Sequence, residues 1–135
     1  RKPQSRKELG RKLAEWEASP EEAERICDRL EELGYLNERE YAGQIVRHYA
    51  GKGFGVRKLR DELCRRGVPR ELWEEALTQA EDNTEAIDAF LEKKLKGSQD
   101  PREMKRASDA LARRGFSWSE IKEGLQRYGA EVWED

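Results

Sequence analysis

Three stretches decide the fold: Leu33-Gly-Tyr-Leu-Asn-Glu-Arg-Glu-Tyr41, Lys52-Gly-Phe-Gly-Val-Arg-Lys-Leu59 and Cys64-Arg-Arg-Gly-Val-Pro69. They read as the joints of three short helices in series. Asn37 followed by Glu40 has the spacing of a helix start, where a side-chain oxygen and a carboxylate satisfy N–H groups that the first turn leaves unpaired. Gly51, Gly53 and Gly55 then stop that helix, because glycine adopts the positive-φ conformations a helix end and reversal require, and Phe54 between them anchors the turn in apolar surface. A second helix follows on Leu59 and Leu63 and ends at Gly67. The third carries Leu72, Trp73, Ala76 and Leu77, whose spacing lays one apolar stripe along a helix. The unit is a helix-turn-helix-like bundle.

Working outward, the chain repeats itself without a gap. Leu13, Ala18, Ala23 and Cys27 correspond to Leu63, Val68, Trp73 and Leu77 at an offset of 50, and those correspond to Leu111, Phe116, Ile121 and Leu125 at an offset of 48. Arg65-Arg-Gly67 recurs as Arg113-Arg-Gly115. Repeats of this length signal one supersecondary unit copied along the chain, each copy burying what its neighbour cannot bury alone. The expected architecture is all-α: tandem three-helix repeats in an elongated, curved solenoid, with repeats at 1–34, 35–81 and 82–129 and a tail at 130–135 against which Val132 and Trp133 can fold back. The first copy lacks its first helix. Capping signals mark the other starts: Ser5-Arg-Lys-Glu8, Ser19-Pro-Glu-Glu22, Asp100-Pro-Arg-Glu103 and Ser117-Trp-Ser-Glu120. Glu81-Asp-Asn-Thr84 reads as a break, and eight helices without a strand result.

Composition narrows the class. Of 135 residues 41% are charged and 36% apolar, which favours small bundles over one deep core. Two cysteines, Cys27 and Cys64, are too few for a disulfide framework and suit a reducing cytosol; both are expected as small hydrophobes beside a core. No apolar run approaches the roughly 18 residues of a membrane span, so a cytoplasmic protein without membrane contact is expected.

The net charge of −2 hides an uneven distribution. Residues 1–12 hold six Lys or Arg against one acid, residues 52–70 seven against two, and residues 93–114 eight against three, so each is +5. Residues 15–40 hold ten acids against three arginines. Arg57 and Lys58 are expected to be neutralised by Asp61 and Glu62 four residues on. The stretch 102–114 is different. At 100° per residue Met104, Ala107 and Leu111 face a core, whereas Arg102, Arg106 and Arg113 share the opposite side with Asp109 among them. Like charges so placed cost an isolated helix about 0.2–0.5 kcal/mol per pair, so the fold gains nothing from them, and a polyanion or acidic protein surface would. Charge geometry therefore selects Arg60, Arg65, Arg66, Arg102, Lys105, Arg106, Arg113 and Arg114 as candidate contacts.

Catalysis finds little support. His48 stands alone between Arg47 and Tyr49 and reads as a surface or partly packed residue. Gly51-x-Gly-x-Gly55 lacks the preceding strand of a dinucleotide fingerprint, no Gly-x-x-x-x-Gly-Lys occurs, and neither metal-ligand spacing nor a cofactor motif is present. Trp16 and Trp73 occupy apolar helix positions and are expected in the core. Trp118, at the start of the last helix, is the better candidate for an exposed aromatic contact.

Gly34-Tyr-Leu-Asn-Glu38, Tyr41-Ala42, Val46, Arg47, Gly53-Phe-Gly55, Arg57-Lys-Leu59, Glu62-Leu63 and Arg66-Gly-Val68 stand in the order and spacing of the bacterial RecX family, and the resemblance continues through Ala110-Leu-Ala-Arg-Arg-Gly-Phe-Ser117 and Glu120-Ile121. Val56 departs from it where the family's proline is expected. The resemblance implies a non-enzymatic regulator without a cofactor, a monomer acting on the recombinase RecA in recombination, repair and the SOS response. It implies binding in the helical groove of the RecA filament on single-stranded DNA, hindering filament growth, ATP hydrolysis, strand exchange and co-protease activity, with the phosphate backbone of single- or double-stranded DNA within reach. Two other classes compete: a stand-alone DNA-binding helix-turn-helix-repeat protein, and an interaction scaffold indifferent to nucleic acid.

Overall fold

Helix starts are set by short-range chemistry. Ser5, Ser19 and Ser117 each accept a hydrogen bond from the N–H three residues on, and Glu8, Glu22 and Glu120 each accept one in turn from the cap residue's N–H at 2.9–3.0 Å. Hydrogen bonding from the Ser19 N–H, and then from its hydroxyl, holds the Glu22 carboxyl below the ordinary carboxylate range. Asp100 accepts from the Arg102 N–H at 2.9 Å. Asn37 accepts from the Glu40 N–H at 3.1 Å, while the Glu40 carboxylate pairs with Arg47 at 3.2 Å.

The computed structural model describes residues 2–80 and 84–129. Among them lie α1 (Arg6–Glu15), α2 (Pro20–Glu32), α3 (Glu38–Gly51), α4 (Val56–Arg65), α5 (Trp73–Leu77), α6 (Thr84–Leu95), α7 (Pro101–Arg113) and α8 (Trp118–Tyr128), and no strand. The protein is all-α. Glu81, Asp82, Asn83 and the tail with Val132 and Trp133 lie outside the described residues. The third helix of the middle repeat is broken into 3₁₀ turns at Arg70–Leu72 and Thr78–Ala80 around α5. The Thr78 hydroxyl donates to the Glu75 carbonyl, a side-chain bond that competes with the helical ladder.

The chain divides into two units. The first comprises Arg1–Arg47 and Arg60–Gln79. Leu9, Leu13, Cys27 and Leu36 form a core there, with Ala18, Ala23 and Leu30 against it. Trp73 is buried and its indole N–H donates to the Val68 carbonyl at 2.9 Å. Two expectations fail in this unit. Trp16 is 72% exposed: it ends α1, and Glu17 at φ 65° turns the chain away before the ring can pack. Cys64 is exposed because Leu59, Glu62 and Leu63 take the buried face of α4, leaving its neighbour a quarter-turn outside. Cys27 is buried as expected, and burial pushes its thiol up.

Glu62, 2% exposed, is the buried carboxylate of the first unit. It accepts from Arg65 at 2.7 Å and from Arg66 at 3.0 Å, and Arg66 also donates to the Tyr41 hydroxyl at 3.2 Å. Burial alone raises the Glu62 carboxyl, but the hydrogen bonds and charges of the two arginines outweigh it and hold the group below its ordinary range. The buried Ser5 hydroxyl donates to the Arg66 carbonyl and so ties the start of α1 to the end of α4.

The second unit comprises His48–Leu59 and Ala80–Asp135. Ile87, Leu91 and Leu95 of α6, Met104, Ala107 and Leu111 of α7, Phe116, and Ile121 and Leu125 of α8 form its core. Gly124 lets α6 and α8 touch, since a Cβ there would stand 2.4 Å from the Ile87 Cγ2. A second close approach joins the start of α4 to the end of α7. A Cβ on Gly55 would stand 2.5 Å from the Gly115 carbonyl oxygen, and one on Gly115 2.6 Å from the Lys58 nitrogen. The Gly-Phe-Gly and Arg-Arg-Gly motifs are thus the two halves of one joint.

Candidate partner-binding face

α7 places the candidate residues of the second unit. Its cap and Pro101 fix the start, and Met104, Ala107 and Leu111 turn inward, so the Arg102, Arg106 and Arg113 side is forced outward. All three arginines are exposed. Arg102 lies 3.9 Å from the Asp100 carboxylate, and Lys105 is 3.6 Å from Asp109. Arg106 and Arg113 have no ion-pair partner among the described residues. Asp109, which the sequence places among these arginines, therefore serves Lys105.

The other candidates are engaged within the fold. Arg114 is half-buried, 5.5 Å from the Phe54 ring and 5.3 Å from the Phe90 ring, and donates to the Lys52 carbonyl at 3.3 Å. In the first unit Arg65 and Arg66 hold Glu62, and Arg60 lies 5.5 Å over the Trp73 ring and 3.5 Å from Glu74. The structure thus brings Arg102, Lys105, Arg106, Arg113 and Arg114 together on one helix and its cap, and Arg60, Arg65 and Arg66 together on α4 and its end.

The pairing of Arg57 and Lys58 with Asp61 and Glu62 that their spacing predicts does not form among the described residues. Arg57 donates through Nη2 to the Ala112 carbonyl at 2.5 Å, and Lys58 lies 5.8 Å over the Phe54 ring. Glu62 is already taken by Arg65 and Arg66. The joint causes this, because it brings the end of α7 within reach of Arg57 before an exposed, solvated carboxylate can compete. A signal was available in the repeated Arg-Arg-Gly, since a glycine that recurs at a helix end marks a close approach, and the residues around both glycines of that approach must converge. Trp118 is 53% exposed, as expected, and His48 is exposed.

None of the described helices is long and apolar enough to cross a membrane. A family model for the second three-helix domain of RecX matches residues 37–77, and one for the third three-helix domain matches residues 80–125. A Pseudomonas putida protein named regulatory protein RecX is 39% identical over 119 residues, which is 86% of this chain and 76% of that one. A Xanthomonas axonopodis pv. citri protein of the same name is 36% identical over 126 residues, 90% of this chain and 77% of its own. The crystal structure of RecX from Lactobacillus salivarius aligns with a TM-score of 0.87 at 22% identity, over 95% of this chain and 87% of that one, and so shares the helical architecture. With its three-helix domains matched in order and its relatives aligned along most of their length, the chain belongs to the RecX family of regulatory proteins.

Proposed function

We propose that this RecX-family chain is a non-enzymatic cytoplasmic regulator that binds the RecA filament on single-stranded DNA and restrains its ATP hydrolysis, strand exchange and co-protease activity, in recombination, repair and the SOS response. The observation that supports this is the exposed face of α7, where Arg106 and Arg113, without an ion-pair partner among the described residues, stand on the same side as Arg102. An isolated helix is weakened by such a stripe and a packed one does not need it, so its use lies in meeting negative charge on a partner.

The test is fluorescence anisotropy with preassembled RecA filaments on labelled single-stranded DNA, together with filament ATPase rates. Replacing Arg102, Arg106 and Arg113 with Ala removes three charged contacts. At about 1 kcal/mol each this weakens filament binding roughly 10²-fold and relieves ATPase inhibition in proportion. Filament binding by the triple variant equal to that of the parent chain would refute the reading.

A further inference from the structure

At the C-terminal end of α7 the side chains of Arg57, Lys58 and Arg114 converge from separate chain segments, with the exposed Lys52, held through its carbonyl, and the exposed Arg113 next to them in the chain. The Gly55–Gly115 joint assembles them. The Gly55 N–H donates to the Arg114 carbonyl at 2.8 Å, the Arg57 N–H to the Gly115 carbonyl at 3.1 Å, and the Arg57 guanidinium to the Ala112 carbonyl. Arg114 reaches back to the Lys52 carbonyl, and Lys58 and Arg114 both lie over the Phe54 ring. None of the five is in an ion pair among the described residues.

The charge is not used up by the fold. Of the carbonyls at the negative end of α7, that of Ala112 accepts from the Arg57 guanidinium, and just beyond the helix those of Arg114 and Gly115 accept from the Gly55 and Arg57 N–H groups. Apart from Arg57, whose guanidinium meets the helix end, these side-chain charges have no carboxylate against them among the described residues. Nor is the surface built for a protein contact, whose centre is apolar and aromatic. No exposed large hydrophobic lies in residues 52–59 or 112–115, and Phe54 is half-buried beneath two cations. Several cations with no apolar centre is the arrangement that phosphate contacts require, where affinity comes from charge and carries no sequence preference.

We propose that this cluster is a phosphodiester site that holds a nucleic-acid backbone directly. It deepens the filament reading by assigning the groups that meet DNA, and it rests on that reading only for its setting, because Lys52 and Lys58 lie outside the α7 arginine face. The test uses the full chain with Lys52→Gln and Lys58→Gln combined, which keeps the Lys58 Cβ over Gly115 and removes no hydrogen bond that builds the joint; an unchanged melting curve accompanies it. Anisotropy is measured on a labelled oligo-dT strand, on a duplex of equal length and on RecA filaments, each across a salt series. The expected result is weaker binding to naked strands and a log affinity against log salt slope shallower by about 1.4 on the single strand, or about 1.8 on the duplex, which also separates the two sources. Affinity and slope on both naked nucleic acids equal to those of the parent chain overturn the site, whatever the filament shows. A loss on filaments alone also overturns it and assigns the cluster to an acidic protein surface. Filament binding that a variant with Arg102→Ala and Arg106→Ala alone loses, while naked-strand binding falls in the Lys52 and Lys58 variant and not in that one, upholds both.

Discussion

Replacing Gly55 with alanine tests the joint on which the second unit and its cation cluster depend. A Cβ there would stand 2.5 Å from the Gly115 carbonyl oxygen, 2.6 Å from its carbon and 2.7 Å from the Phe116 nitrogen. All three are backbone atoms, so no side chain can swing aside and the start of α4 must back away from the end of α7. The motion lengthens or breaks the Gly55 N–H to Arg114, Arg57 N–H to Gly115 and Arg57 guanidinium to Ala112 hydrogen bonds. At about 1 kcal/mol each, with a small gain of about 0.5 kcal/mol from the stiffer unfolded chain, the expected loss is about 2–3 kcal/mol. For a chain of this length that is a fall in melting temperature of roughly 10 °C. Because the same motion separates Arg57 and Lys58 from Arg113 and Arg114, naked-strand affinity should fall further than stability requires when measured well below the melting point. Calorimetry and urea unfolding check the first statement and anisotropy the second. A variant within about 0.5 kcal/mol of the parent chain would show that the two motifs do not touch as described.

Gly10 offers the opposite case: it lies inside α1 with nothing within 4 Å of where a Cβ would be. Gly10→Ala should therefore stabilise by about 0.5–1 kcal/mol, read as a raised urea midpoint at unchanged slope; a loss would place an unseen neighbour against that face. Glu62 makes stability depend on pH. Its folded carboxyl titrates below the unfolded value of about 4.3, so the unfolded chain binds the extra proton between those two values. The contribution is fully present above about pH 5 and disappears as pH falls through the folded value. Glu62→Gln should flatten the acid limb of a pH series of urea midpoints and destabilise at pH 7 by about 2–3 kcal/mol, since Arg66 is left half-buried without its carboxylate. An acid limb identical to that of the parent chain would remove Glu62 from the account.

Most of the fold was legible because it is written locally. Serine-to-glutamate spacing, glycine at helix ends and an apolar period of 3.6 act over a few residues, and the three serine capping boxes form as read. What failed was set by distance in sequence. Trp16 has an apolar residue's position in the pattern but sits at a helix end, where Glu17 removes it from the core. Cys64 is next to buried Leu63, and only the choice of which α4 face is covered decides between them. Of the candidate contacts, the α7 stripe follows from helical geometry alone. The capture of Arg66 by Tyr41, 25 residues away in sequence, and of Arg57 by Ala112, 55 residues away, depends on packing that no local spacing reports.

The repeated Arg-Arg-Gly explains why one copy of the motif is closed and the other open. In the first unit Ser5 meets the Arg66 carbonyl and the Lys7 side chain lies over Gly67; in the second Gly55 meets the Arg114 carbonyl and Lys58 lies over Gly115. The joint is the same, made by a serine hydroxyl in one place and a backbone N–H in the other. In both, the second arginine is drawn into the structure: Arg66 onto Glu62 and Tyr41, Arg114 between Phe54 and Phe90. The first arginines part company. Arg65 lies 2.7 Å from Glu62, but the offset of 48 that relates the copies puts Ala110 where Glu62 would stand. Without a carboxylate three residues before it, and with Asp109 held by Lys105, Arg113 keeps its charge for solvent or a partner. A single residue type at one repeat position therefore separates an arginine pair that neutralises its own buried acid from one that presents charge outward, and this places the open face on α7 rather than α4.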